Sequence, residues 1–202
     1  MLVYGDDQSG NCFKVKLLLS LLGVDHEWQH VNILNKETQS DEFLVLNPNG
    51  KIPTVVLDDN RVLCESNAIL GYFAEGTEYL PTDRYEKAKV YEWLFFEQYS
   101  HEPYVAVARF IQKYLGMPEH RVEEYLSLQV GGNKALSIMD KQLSKSAYLV
   151  GEQFSIADIA LYAYTHVAHE GGFDLEKYPN IQRWISEIQD FECYVGMCQP
   201  CA

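Results

Sequence analysis

The chain has 202 residues, of which 47% are hydrophobic and 22% are charged, the balance of an ordinary globular protein. This length suits one large domain or two small ones. The formal net charge of −13 lacks the basic footprint that nucleic-acid and anionic-membrane partners require. We therefore expect neither kind of partner.

The five cysteines form no disulfide-like framework, and the N-terminal sequence MLVYGDDQ lacks the basic and apolar regions of a secretory signal. The longest apolar run, LLLSLLG, is too short to span a bilayer. These features favour a reduced, cytoplasmic location. Cys193, Cys198 and Cys201 lack a fourth ligand for zinc, so we expect no metal.

The first 75 residues alternate between strand-like and helix-like sequence. LVYG predicts a strand, and NCFKVKLLLSLLG predicts a helix that is apolar almost all round and ends at Gly23. HEWQHVNI predicts a weaker strand, and ETQSDEFLVLN predicts a short helix. TVVL and VLC flank a turn and predict an antiparallel hairpin, after which a helix begins near Ser66. The predicted order is β-α-β-α-β-β-α.

Residues 76–84 lack periodicity and are typical of a linker, and the sequence that follows is helical. We expect a helix over residues 85–115 that is kinked at Pro103, and further helices over 119–145, from Ser155, and in YPNIQRWISEIQDF. Ser155 and Asp158 have the spacing of a capping box, which indicates a structural role. The sequence therefore predicts an α/β domain over residues 1–76 and an all-α domain over residues 85–202.

Three motifs stand at element boundaries of the first domain: SGNC at residues 9–12, Ile52-Pro53 before the third strand, and Glu65-Ser66 at the start of the third helix. In this order, and with SIAD in the helical part, they resemble the cytosolic glutathione transferase superfamily over nearly the whole chain. The resemblance implies a thioredoxin-like first domain and a helical second domain. It also implies glutathione as co-substrate, a small hydrophobic electrophile as second substrate, and a homodimer.

The last two motifs suit the binding of glutathione. Pro53 has no N–H, so it can begin a strand but cannot continue a central one. The resemblance implies that its peptide bond is cis and that Ile52 pairs with the cysteinyl backbone of glutathione. At a helix N-terminus, free N–H groups and the hydroxyl of Ser66 attract a carboxylate, while Glu65 can hold an ammonium. The γ-glutamyl end of glutathione carries both groups on one carbon.

Ser9 lies just before the N-terminus of the first helix. The resemblance of the chain to the serine-type classes of the family implies that Ser9 is catalytic. A free thiol has a pKa of about 8.5, and a hydroxyl donor near a helix N-terminus lowers it. Two residues compete for this role. Tyr4 lies in the first strand, where other classes place a tyrosine. Cys12 stands in an S-x-x-C pattern rather than the C-x-x-C pattern of thiol–disulfide exchange. We therefore interpret Cys12 as a small apolar residue that packs in the first helix turn.

Several cations stand near the predicted glutathione site. The resemblance implies that Lys51 meets the glycine carboxylate of glutathione. Lys14, Lys16 and the dipole of the first helix are placed to add positive charge, which a chain of net charge −13 needs locally to hold an anionic tripeptide. His101, in the first long helix of the second domain, is a candidate to face the acceptor pocket or a second subunit.

The resemblance thus implies a glutathione transferase, with a role in detoxification, that activates the glutathione thiolate for attack on an electrophile. A glutathione-dependent peroxidase, or a disulfide oxidoreductase acting through Cys12, is an alternative. A third reading is a non-catalytic dimerisation or scaffold protein, because a fold does not fix a function. The joint presence of Ser9, Ile52-Pro53 and Glu65-Ser66 favours a working glutathione site.

Overall fold

The computed structural model describes residues 1–199 and divides into two units. The first unit comprises residues 1–75 together with residues 192–199, and the second comprises residues 76–191. Within the described part of the chain, every helix is too short or too polar to cross a membrane.

The first unit is built on a four-stranded mixed sheet in the order β2-β1-β3-β4. Its strands are β1 (Leu2–Gly5), β2 (Glu27–His30), β3 (Thr54–Val56) and β4 (Val62–Cys64). β1 runs parallel to β2 and antiparallel to β3, and β3 forms the predicted antiparallel hairpin with β4. In that hairpin Thr54 lies opposite Cys64, which brings the start of β3 beside the end of β4.

Three helices complete the first unit: α1 (Gly10–Leu21), α2 (Asp41–Leu46) and α3 (Ser66–Ala74). The order of elements matches the prediction, so the thioredoxin-like arrangement is confirmed. The core forms where Val3 and Val55 of the sheet pack against Val15 and Leu19 of α1 and Ile69 of α3. This packing fixes α1 and α3 on the same face of the sheet.

Helix α1 buries two lysines that its apolar pattern did not predict to be buried: Lys14 is 0% exposed and Lys16 is 2% exposed. Residues 192–199 cover Lys16. Its ammonium donates to the carbonyl oxygen of Met197 at 3.1 Å and to that of Gln199. The carboxylate of Asp7 lies 3.6 Å away. The C-terminal segment therefore completes the environment of a charge buried in the first unit.

The second unit is helical, as predicted, with α4 (Arg84–Phe96), α5 (Glu102–Arg109), α6 (Val122–Leu143), α7 (Ile156–Thr165) and α8 (Pro179–Gln189). Its described residues form one isolated β-bridge and no strand. A π-helical turn, Glu97–His101, interrupts the predicted long helix next to Pro103. His101 is fully buried, and its Nε2 lies 2.9 Å from Oγ1 of Thr165. His101, a candidate from the sequence to face a pocket or a second subunit, therefore packs in the interior of the second unit beside α7.

The predicted capping box at the start of α7 is confirmed. The carboxylate of Asp158 accepts from the backbone N–H of Ser155 at 3.0 Å and from its hydroxyl at 3.1 Å. It also accepts from the N–H of Leu149 at 2.9 Å and from Nε1 of Trp184 at 3.0 Å. Burial raises the pKa of Asp158 to about 6, and the four donated hydrogen bonds oppose that rise. One carboxylate thus ties together α7, α8 and the loop before α7.

Replacement of this carboxylate should be costly. Asp158→Ala leaves two backbone N–H groups and the indole N–H of Trp184 buried without their acceptor, at about 1–3 kcal/mol for each group. We expect the free energy of unfolding to fall by at least about 3 kcal/mol. Urea denaturation followed by tryptophan fluorescence measures it. Ser155→Ala is the control and should cost about 1 kcal/mol, the usual loss for an N-cap. Equal losses in the two variants would contradict a central role for Asp158.

Candidate active site

The first turns of α1 and α3 meet in the first unit. The hydroxyl of Ser66, the first residue of α3, donates to Oδ1 of Asn11 in the first turn of α1 at 3.2 Å. Each helix carries a partial positive charge at its N-terminus, where backbone N–H groups lack intrahelical acceptors. Two such ends joined by one hydrogen bond form a strong potential site for an anion.

Ser9 is the N-cap of α1. Its backbone is extended, with φ −80° and ψ 122°, and its Oγ accepts from the N–H of Cys12 at 3.4 Å. The residue is half-buried. The hydroxyl therefore stands at the positive end of a helix, two residues from the Asn11 that contacts Ser66.

Cys12 has the environment expected of a small apolar residue rather than a nucleophile. It is fully buried, and its sulfur accepts from the N–H of Asp6 at 3.5 Å. Burial raises the pKa of Cys12 to about 12, and hydrogen bonds from Ser9 and Asp6 oppose only part of that rise. Because the thiolate is the reactive form, a buried thiol with this pKa is inert at neutral pH.

Tyr4 lies on the other face of the sheet. Side chains alternate along a strand, and Val3 packs into the core beneath α1 and α3. Tyr4 points the opposite way and meets Phe43 of α2 edge-on, with ring centroids 6.0 Å apart. Both rings line a cavity of about 400 Å³ between the sheet and α2. This contact favours a packing role for Tyr4.

The predicted cis peptide bond between Ile52 and Pro53 is confirmed. Just before it, the carbonyl oxygen of Lys51 accepts from Nδ2 of Asn47 at 2.7 Å and from Oγ1 of Thr54 at 3.1 Å. The Lys51 side chain is exposed. In residues 1–199 the backbone N–H and carbonyl of Ile52 make no hydrogen bond, so both are available to a ligand. The sequence placed Asn47 at the end of the short helix predicted over ETQSDEFLVLN and did not reveal that its side chain holds this loop.

Glu65 has an unusual backbone conformation. It is the N-cap of α3, with φ 67° and ψ 111°, and its carbonyl accepts the first helical hydrogen bond from the N–H of Ile69 at 2.9 Å. A non-glycine residue at positive φ costs on the order of 1–3 kcal/mol, and such residues cluster at functional sites. The side chain of Glu65 is exposed. The strained conformation places a carboxylate beside the N-terminus of α3.

Ser66 and Lys14 are in contact. Ser66 is 6% exposed, and its Oγ accepts from the ammonium of Lys14 at 3.3 Å. The same ammonium lies 3.4 Å from Oδ1 of Asn67. Sequence reasoning expected Lys14 and Lys16 to supply charge together, but only Lys14 turns toward α3. The contacts of Asn11, inside the SGNC motif, and of Asn67, next to Ser66, were missed, because an asparagine amide carries no distinctive sequence pattern.

Among residues 1–199, no three potential metal ligands lie close enough together to hold an ion. Of the three C-terminal cysteines, Cys193 and Cys198 are exposed. Cys201 lies outside the described residues.

Comparison with known protein families gives two matches in chain order. Residues 8–75 match the glutathione S-transferase N-terminal domain, and residues 93–190 match the C-terminal domain. The chain belongs to the glutathione S-transferase family. Its fold, a mixed four-stranded sheet domain followed by a helical domain, is the glutathione S-transferase fold.

Similar proteins bear out this membership. The crystal structure of a glutathione S-transferase from Pseudomonas fluorescens is 58% identical, with a TM-score of 0.97 and coverage of 98% of both chains. A glutathione S-transferase domain-containing protein of Dictyostelium discoideum is 32% identical over 92% of this chain and 76% of its own. Disulfide-bond oxidoreductase YfcG of Escherichia coli is 30% identical over 89% of this chain and 86% of its own. Members of one family therefore carry different activities.

The burial of Cys12 can be tested by thiol labelling. In the native protein, iodoacetamide should modify the exposed Cys193 and Cys198 and leave Cys12 unmodified, because Cys12 is inaccessible and protonated. Peptide mass spectrometry locates the label. In urea all three cysteines should react, which controls for peptide detection. Labelling of native Cys12 at the rate of Cys193 would contradict the described environment.

Proposed function

We propose that this family member is a glutathione transferase of the serine type, with Ser9 as its catalytic residue. One observation carries the proposal: Ser9 caps α1 at the point where the N-terminal turns of α1 and α3 are joined through Asn11 and Ser66. A donor hydroxyl and an anion site thus stand side by side. Glutathione presents a thiol and a carboxylate that match them.

The remaining motif residues suit the rest of the tripeptide. In the proposed complex the γ-glutamyl carboxylate lies at Ser66 and the N-terminus of α3, and its ammonium faces Glu65. The free backbone groups of Ile52 pair with the cysteinyl backbone. The exposed ammonium of Lys51 meets the glycine carboxylate. The hairpin register, with Thr54 opposite Cys64, supports this assignment because it holds the Ile52 and Glu65 segments next to each other.

In the proposed reaction, Ser9 donates a hydrogen bond to the glutathione sulfur and favours the thiolate, and the thiol proton leaves to solvent. The sulfur lone pair then attacks an electrophilic carbon of a small hydrophobic substrate. A carbon–sulfur bond forms, and the leaving group departs with its electron pair.

Disulfide reduction is the second candidate, supported by the likeness to Escherichia coli YfcG. Because Cys12 is buried and protonated, the attacking group in this case is the thiolate of glutathione itself. It forms a new sulfur–sulfur bond with the substrate, whose other sulfur leaves as a thiolate. This step needs the same activation by Ser9.

Peroxide reduction would begin in the same way, with the glutathione thiolate as the attacking group. Analysis of the products separates conjugation, disulfide reduction and peroxide reduction. A scaffold role without catalysis would require neither Ser9 nor a free Ile52 backbone.

The catalytic role of Ser9 can be tested through the pKa of bound glutathione. A hydrogen bond to a charged group is worth about 1.5–3 kcal/mol, which corresponds to roughly one to two pKa units. Ser9→Ala should raise the pKa of the bound thiol by that amount and lower turnover at neutral pH. Glutathione affinity should change little, because the proposed binding contacts lie elsewhere. Titration of the thiolate ultraviolet absorbance against pH measures the shift.

Two variants are the controls for Ser9→Ala. Tyr4→Phe and Cys12→Ala should each move the titration curve less. A shift in the curve and in the rate with Tyr4→Phe, but not with Ser9→Ala, would transfer the role to Tyr4. Loss of activity with Cys12→Ala alone would instead support an oxidoreductase that acts through Cys12.

We also propose that the protein is a cytoplasmic homodimer that takes part in detoxification, with α3, α4 and α6 contributing to the dimer interface. These helices expose large apolar side chains on their own surfaces: Tyr72 on α3, Tyr91 and Phe95 on α4, and Leu126, Val130 and Ile138 on α6. A partner subunit that covered these side chains would remove apolar surface from water.

The dimer proposal predicts the mass in solution. Light scattering at micromolar concentration should give twice the chain mass of 23.2 kDa. Because Phe95 and Val130 are 69% and 77% exposed, Phe95→Glu with Val130→Glu should place unpaired charges in the interface and shift the mass toward the monomer. Leu34→Glu with Val45→Glu, which changes two exposed residues outside these three helices, is the control. A monomer mass for the unaltered protein would rule the dimer out.

A further inference from the structure

The C-terminal segment, residues 192–199, is attached to helix α1 at two points. Oγ of Ser20 donates to the carbonyl oxygen of Cys193 at 2.9 Å. One helical turn earlier on α1, Nζ of Lys16 donates to carbonyl oxygens further along the segment, with that of Met197 at 3.1 Å. The segment therefore runs along one face of α1 toward the end at which that helix begins.

The end of the segment also contacts the turn that precedes α1. The N–H of Ser9 donates to the carbonyl oxygen of Asp6 at 3.0 Å and closes this turn, in which Asp7 is the second residue. The thiol of Cys198 donates to the carbonyl oxygen of Asp7 at 3.8 Å. The carboxylate of Asp7 lies 3.6 Å from Nζ of Lys16. The carbonyl and the carboxylate of Asp7 thus both face groups that belong to the segment or are covered by it.

These contacts restrict the part of the turn that is freest to rotate. The common types of four-residue turn share the closing hydrogen bond and differ in the orientation of their central peptide group. Here that group joins Asp7 to Gln8, and its carbonyl accepts from Cys198 while its N–H donates to Oδ1 of Asp6 at 2.8 Å. The turn ends at Ser9, so its conformation sets the direction in which the Ser9 hydroxyl leaves the backbone.

We propose that the C-terminal segment acts as a clasp on this turn, and that Lys16, Asp7 and Cys198 are positioning residues for the hydroxyl of Ser9. The inference rests on the proposed function, because it assumes that Ser9 donates to the sulfur of glutathione. It makes activation of the thiol depend on a contact between residues that are 191 positions apart in the sequence.

The test compares the pKa of the bound glutathione thiol in Asp7→Asn, Lys16→Met and Cys198→Ala, by titration of the thiolate absorbance. Loss of positioning should raise that pKa in all three variants by about half a unit or more, short of the shift expected for Ser9→Ala. The three changes remove an anion, a cation and no charge. A direct effect of charge on the thiolate would therefore lower the pKa in Asp7→Asn, raise it in Lys16→Met and leave it unchanged in Cys198→Ala.

Two cysteine variants are matched controls. Cys193→Ala changes an exposed cysteine of the same segment but keeps the carbonyl that accepts from Ser20, and should leave the titration unchanged. Cys198→Ser retains a donor for the Asp7 carbonyl and should titrate like the unaltered protein. In the Ser9→Ala background, Cys198→Ala should raise the pKa no further. A general loss of stability would lower the melting temperature without this dependence on Ser9.

The outcomes separate the inference from the function on which it rests. A lowered or unchanged pKa in Asp7→Asn, or an unchanged pKa in Cys198→Ala, would overturn the clasp while Ser9→Ala still raised the pKa. An unchanged titration in Ser9→Ala would overturn the proposed function, and the clasp with it. The side chain of Asp7 is 46% exposed and Cys198 is exposed, so these two variants decide the matter should Lys16→Met fail to fold.

Discussion

The junction of α1 and α3 is the constraint on which the candidate site depends. Ser66 and Asn11 are 55 residues apart in sequence, and Lys14 and Ser66 are 52 apart, yet each pair is in contact. The sheet makes this possible, because β1 leads into α1 and β4 leads into α3 on the same face. Once the two N-terminal turns are fixed, their backbone dipoles cannot relax away from each other. A preorganised positive region of this kind binds an anion without the cost of reorganising its dipoles.

Lys14 and Lys16 show how one helix serves two purposes. Successive residues of an α-helix are rotated by about 100°, so residues two apart point about 200° away from each other. Lys14 therefore turns toward α3, and Lys16 turns toward residues 192–199. Buried charges are expensive and seldom stabilise a fold compared with apolar side chains. Lys14 lies beside the proposed glutathione site, and Lys16 lies beside the carboxylate of Asp7.

Much of the fold followed from the sequence, because strand alternation, turn residues and the Ser155 cap are local signals. The family resemblance also implied the cis bond before Pro53. What the sequence did not reveal depends on contacts between distant segments. The burial of Lys14 could not be read from an apolar helix pattern, and the burial of His101 depends on Thr165 in another helix. The two candidates for the catalytic role, Tyr4 and Ser9, differ in position: Tyr4 packs against α2 on one side of the sheet, and Ser9 caps α1 on the other. This difference became visible only in the structure.

The contact between Lys16 and residues 197 and 199 has a consequence for biosynthesis. These partners are separated by 181 and 183 residues in sequence. A ribosome adds about 5–20 residues per second and domains tend to fold as units during synthesis, so β1 to α3 leave the tunnel long before the C-terminal segment exists. The nascent first unit must therefore hold the Lys16 ammonium in contact with water, or with Asp7, until the final carbonyl partners arrive. Its packing around α1 is completed only once residues 192–199 have been synthesised, after the helices of the second unit.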